Sequence, residues 1–170
     1  EQVFTRALVN FLAKHAFKLA SSEDLWAEME TESKKPIRQM MKSWAEKKAF
    51  PIVHVAGKVD PGTGNYMITL KQESILNHMR HMEQMGKMEV VHKFGDRDSE
   101  PKVWHIPLSI TTDPRGMQSK MEMLMDKEMI SLMIPAAEYR NSGGYFKIDP
   151  KHTCYMTVCY PEDHIRKVLM

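Results

Sequence analysis

Histidines come first among the residues that could do chemistry. His78 and His81 stand three apart, with His92 further on. Imidazole donors at that spacing could hold zinc or nickel on one helical face. No cysteine or carboxylate set clusters with them, and the segment is charged, so solvated histidines are the expected state. His15 falls off the apolar side of its segment, and His54, His105, His152 and His164 show no ligand spacing. Ser21-Ser22 offers hydroxyls, but a capping role accounts for both. Asp60-Pro-Gly-Thr-Gly64 lacks the Lys-Ser/Thr of a phosphate loop and leads into a strand rather than a helix. Trp26 and Trp44 could form a ligand platform, and the expectation is core aromatics. Glu23, Asp24, Glu28, Glu30 and Glu32 are read as a solvated face, although a basic partner could use it. The expectation is therefore no catalytic residue, no metal ligand and no cofactor-binding residue in this chain.

The elements that must position these residues come in two kinds. Over residues 3–18, Phe4, Ala7, Leu8, Phe11, Leu12 and Ala16 line one helical face. Ser21 with Asp24 makes an N-cap signal for a second helix. Pro36 suits the first position of a third, on which Ile37, Met40, Met41 and Trp44 fall at i, i+3, i+4 and i+7. From Pro51 the period changes to two. Residues 51–71 read as a hairpin turning at residues 60–65. Residues 72–86 carry helical spacing at Ile75, Met79 and Met82 but read equally as a loop. Further strands are expected at 88–93, 103–110, 121–125, 130–134, 145–148 and 153–160, and a helix starts at 161. The fold class is α+β in two parts, a helical segment followed by a small antiparallel β-sandwich.

Composition narrows the function classes. The 170 residues are 42% apolar and 27% charged, with a formal net charge of +2, an ordinary globular balance. No Lys/Arg run exceeds two residues, so no nucleic-acid partner is expected, and no apolar run of spanning length argues for a membrane. Cys154 and Cys159 sit at odd spacing in one expected strand, which puts them on opposite faces. Free thiols and the lack of an Asn-x-Ser/Thr acceptor point to a cytoplasmic location. Sixteen methionines are expected mainly as core filler, with a promiscuous binding surface as the other use. The first residue is Glu1 in an already helical stretch, which suggests a piece of something longer.

Several segments carry a family likeness. Asp24-Leu25-Trp26, Pro36, Met41, Trp44 and Phe50-Pro51, then WHIPLSIT at 104–111 and FKIDPKHTCYMTVCYPED at 146–163, resemble the zinc aminopeptidases of the puromycin-sensitive and alanyl aminopeptidase type, the gluzincin exopeptidases. Ala49, Cys154 and Thr157 depart from that pattern. The resemblance implies residues 1–50 as the helical end of a thermolysin-like catalytic domain and 51–160 as a β-sandwich. Residues 161–170 would open a C-terminal helical domain. It further implies a parent hydrolase that removes N-terminal residues from peptides with zinc-activated water. The partners would be the remaining domains of that parent. The family's His-Glu-x-x-His and its exopeptidase strand are both missing from these 170 residues. The chain reads as a non-catalytic fragment whose sandwich spaces two domains, inactive alone, with zinc held elsewhere in the parent. The other reading is a pseudo-enzyme or protein-binding module using the same sandwich. A dimer through an apolar helical face is a further expectation.

Overall fold

The computed structural model describes residues 2–47, 49–87, 103–115 and 120–169. Two compact units result, Glu1–Glu46 and Lys47–Met170, and each is described by itself. Expected strand 88–93 and His92 lie outside the described residues.

The first unit holds α1 (Gln2–Lys14), α2 (Ser22–Ser33) and α3 (Ile37–Ala45). Ser21 caps α2 in a full capping box: its hydroxyl accepts from the Asp24 N–H, and the Asp24 carboxylate accepts from the Ser21 N–H at 2.8 Å. Lys34, with φ +57°, ends the helix. Pro36 occupies the N-cap of α3, one place earlier than expected. The acidic face of α2 is not simply solvated. Glu28 is buried and meets Lys14 at 2.5 Å, Glu32 takes Arg6 and Asn10, and Glu30 takes Arg38. Salt bridges between helices thus occupy three of the five carboxylates, and the cap a fourth. Ala7 is the buried apolar residue of this unit, while Phe4 and Leu12 stay more than half exposed.

The second unit is built on a long hairpin. Strand β1 (Pro51–Val59) pairs antiparallel with β2 (Tyr66–Ser74), from Pro51 opposite Ser74 to Val59 opposite Tyr66. Asp60 closes the turn: its N–H donates to the Asn65 carbonyl and its carbonyl accepts from Gly64, which sits at φ +70°. Next come α4 (Ile75–Gln84), β3 (Ile106–Thr111), β4 (Met121–Met125), β5 (Met129–Ile134), α5 (Ala136–Asn141), β6 (Lys147–Ile148), β7 (Thr157–Cys159) and α6 (Glu162–Val168). They form one sheet in the order β5-β2-β1-β7 and a second in the order β4-β3-β6. The arrangement is α+β, as expected, with one departure: β7 runs parallel to β1, so the first sheet is mixed.

Register explains the core. Val53, Val55, Ile68, Leu70, Gln72, Leu132 and Ile134 share one face of the first sheet and are buried. Trp104, Ile106, Leu108, Ile110, Met125, Phe146 and Ile148 supply buried residues from the second sheet and its approaches. Gln72 joins the two. Its amide nitrogen donates to the Trp104 and Lys127 carbonyls at 3.0 and 2.8 Å, and its oxygen accepts from the Trp104 N–H at 2.8 Å. The expected strand at 153–160 shortens to Thr157–Cys159, because Asp149 holds the preceding bend. The Asp149 carboxylate accepts from the N–H groups of Thr153 and Cys154 and from the Thr153 hydroxyl. Both cysteines are free, but only Cys159 lies in a strand; Cys154 reaches the Pro107 carbonyl. No described helix is long and apolar enough to cross a membrane.

Candidate functional site

Site geometry here follows from an abrupt chain reversal. Strand β2 passes into α4 without a loop: the Ser74 hydroxyl accepts from the Leu76 N–H, and the Ile75 N–H donates to the Phe50 carbonyl at 3.1 Å. The helix therefore returns over the end of the sheet that β1 and β2 form, on the face opposite the core. On that face His54 stands opposite Lys71 on β2, and Glu73 stands opposite Ile52. His54 and Glu73 are thus diagonal neighbours, close enough for long side chains to touch. One turn into α4, His78 points back at the same carboxylate.

The result is a three-residue cluster. His54 Nε2 lies 2.6 Å from Glu73 Oε1, and His78 Nδ1 lies 2.9 Å from the same oxygen. The two imidazole rings are 5.2 Å apart, centre to centre. All three residues are part-buried. Burial raises the affinity of Glu73 for a proton, but hydrogen bonds from His78 and His54 outweigh it and hold the carboxyl below its ordinary range. An ionised carboxylate only accepts, so each ring presents its N–H to Oε1, which assigns both tautomers. An open cleft lined by Lys71, Glu73, Asn77, Arg80, His81 and Gln84 runs up to the cluster.

Sequence spacing pointed to His78 with His81, and the fold instead gathers His78 with His54 and Glu73. His81 lines the cleft but is not in the cluster. The signal that could have found it is the alternation within the hairpin: residues 54 and 73 share the non-core face once the register is set by the turn at 60–65. His164 is a core residue. It is 3% exposed, stacks on Phe146 at 3.9 Å, and donates from Nε2 to the Phe146 carbonyl. His15 packs its ring near Phe11. Trp26 and Trp44 are half-buried, and Trp26 lines an open groove with Glu30, Pro36 and Arg38; the fully buried tryptophan is Trp104. Lys47 covers the Trp104 ring with its ammonium 4.5 Å from the centroid. Ser21 is a cap and Asp60 a turn, as expected.

The donor set of His54, Glu73 and His78 comes from two strands and a helix. It does not fit the zinc shell that the resemblance implies, where two histidines at i and i+4 on one helix bind the ion and a later glutamate completes the shell, the intervening glutamate being the general base.

No family model matches the chain. Aminopeptidase M1-B of Oryza sativa subsp. japonica is 24% identical over 166 residues, covering 94% of this chain and 16% of that protein. Tricorn protease-interacting factor F2 of Thermoplasma volcanium is 30% identical over 142 residues, covering 84% of this chain and 15% of that protein. Aminopeptidase M1 of Arabidopsis thaliana is 38% identical over a shorter stretch of 52 residues, or 31% of this chain and 6% of that protein. Among solved structures, aminopeptidase A of Legionella pneumophila in complex with aspartic acid aligns with a TM-score of 0.53 at 14% identity. That alignment covers 79% of this chain and 13% of the other, a likeness of fold. Homologues named as aminopeptidases therefore match most of this chain, and it spans about a sixth of the length of the first of them.

Proposed function

We propose that this chain is a non-catalytic portion of a zinc-dependent aminopeptidase, in which the strand-rich unit works as an interdomain spacer. The observation that carries the reading is the lopsided coverage: 94% of this chain matches only 16% of an aminopeptidase. Two features of the chain support it. The 170 residues contain neither His-Glu-x-x-His nor the exopeptidase strand, so the parent's zinc and amine-binding groups would lie outside it. The helical unit leaves Phe4, Val9 and Leu12 more than half exposed, as expected of a surface that the rest of a larger protein covers. In this reading Gln72, holding the two sheets together, makes the second unit stiff enough to set a distance and an angle between neighbouring domains. The parent would act on peptide N-termini in the cytoplasm.

The test is turnover. The 170-residue chain, supplied with zinc and assayed on a panel of aminoacyl fluorogenic amides, should release no fluorophore above buffer. Sustained turnover that scales with chain concentration would overturn the proposal.

A second reading, a protein-binding module, is favoured by one observation. Among the described residues strand β5 is the edge of its sheet, and Met129 and Met133 on it are 54% and 45% exposed. An edge strand with adaptable apolar side chains can accept a partner strand. Under that reading, proteins of the source cell would bind the wild-type chain and not a Met129→Lys/Met133→Lys variant, and equal binding to both would dismiss it.

A further inference from the structure

We propose that His54, Glu73 and His78 form a site for a divalent transition cation of the zinc class. The donor chemistry suits it: two imidazoles and one carboxylate are borderline ligands that select zinc, nickel or copper over magnesium or calcium. Geometry suits it as well. One donor atom from each of His54, Glu73 and His78 lies within 4.8 Å of the other two. Ligands about 2.0–2.1 Å from a tetrahedral zinc are about 3.3 Å apart. The contacts of 2.6 and 2.9 Å would open by about 0.7 and 0.4 Å to reach that spacing.

Protonation is compatible. Each ring now donates an N–H to Glu73, so binding moves or releases one proton per ring and replaces two hydrogen bonds with three metal bonds. Glu73, already ionised, supplies the negative charge. The surrounding charges leave room for a cation. Lys71, opposite His54, is drawn towards Glu128 at 3.6 Å. Arg80 and His81 line the cleft beside Glu73. Cys159 stands opposite His54 on β7.

Three protein ligands with a cleft at the fourth position leave a coordination site for water or a small ligand. A bound ion would also tie α4 to the hairpin that β1 and β2 form. The proposal stands apart from the aminopeptidase reading, because its readout is metal binding and not turnover.

The experiment is a Zn2+ titration of the chelator-stripped 170-residue chain by calorimetry, paired with NMR of the histidine ring nitrogens. One saturable ion per chain is expected, with the ligation shift falling on His54 Nε2 and His78 Nδ1. The His54→Ala/His78→Ala variant should lose at least about tenfold in affinity, while His81→Ala keeps the wild-type value. The ring-nitrogen measurement is made on the wild-type chain, so a variant that fails to fold does not blunt the test. Absence of saturable binding, or ligation shifts confined to other histidines, would overturn the site.

Discussion

At the scale of single residues, His164 shows how the fold sets chemistry that spacing does not announce. It is buried against Phe146 and Tyr160, with Asp163 and Lys167 the charged groups beside it on its own helix. Burial holds its affinity for a proton below the ordinary value of 6.5, more than the hydrogen bond to the Phe146 carbonyl restores. The unfolded chain therefore binds the proton first as pH falls. Stability from this residue is complete above about pH 6.5 and is lost as pH drops through the lower folded value. Urea midpoints measured from pH 8 to pH 5 should fall more steeply for the wild-type chain than for His164→Gln; parallel curves would refute this role. Gly57 gives a second residue-scale prediction. A Cβ there would clash with the Tyr66 hydroxyl and ring, and Tyr66 is itself held in a stack on Tyr139 at 4.1 Å. Gly57→Ala should cost about 1–3 kcal/mol, because the ring has to leave that stack. Denaturant unfolding measures it, and an unchanged midpoint would show the ring free to move.

At the scale of elements, Gln72 is the polar joint between the sheets, 2% exposed with three hydrogen bonds. Gln72→Leu keeps the volume but strands the Trp104 N–H and two carbonyls, so a loss of about 3 kcal/mol is expected. Equilibrium unfolding is the measurement, and a loss under about 1 kcal/mol would mean that water replaces the amide. The same residue marks where periodicity stops being informative. The hairpin at 51–71 was legible because turn chemistry at 60–65 and alternation agree, and the capped α2 was legible because its cap is local. Residues 72–86 were ambiguous: strand β2 continues to Ser74, and only then does the helical spacing of Ile75, Met79 and Met82 begin, so one window mixes two periods. Helix α5 was missed because six residues make too short a stripe. The cluster of His54, Glu73 and His78 was illegible for a different reason. Its members come from three elements, and only the register of β1 on β2 together with the direct entry into α4 brings them together.

At the scale of the whole molecule, the two units differ in what holds them. The second unit buries Trp104, Phe146 and a run of Ile, Leu and Val side chains, and each methylene so buried contributes about 0.8 kcal/mol. The first unit has helices of 13, 12 and 9 residues, lengths that are marginal on their own, with Ala7 as its buried apolar residue. Its ties are the pairs Arg6–Glu32, Lys14–Glu28 and Arg38–Glu30, in each of which the basic side chain is about 60% exposed. Pairs so open to solvent contribute little each and weaken as salt screens them. Unfolding of the chain should therefore not be a single cooperative step. In hydrogen exchange, amides of residues 2–46 should exchange well before those of β1, β2 and β5. Raising the salt from low ionic strength to about 1 M, where the screening length falls to about 3 Å, should speed exchange in the first unit and leave the second almost unchanged. Uniform protection across residues 2–169, insensitive to salt, would show instead that the helices draw their stability from burial that the single chain already provides, and would remove the exposed helical face as a reason to expect a covering domain.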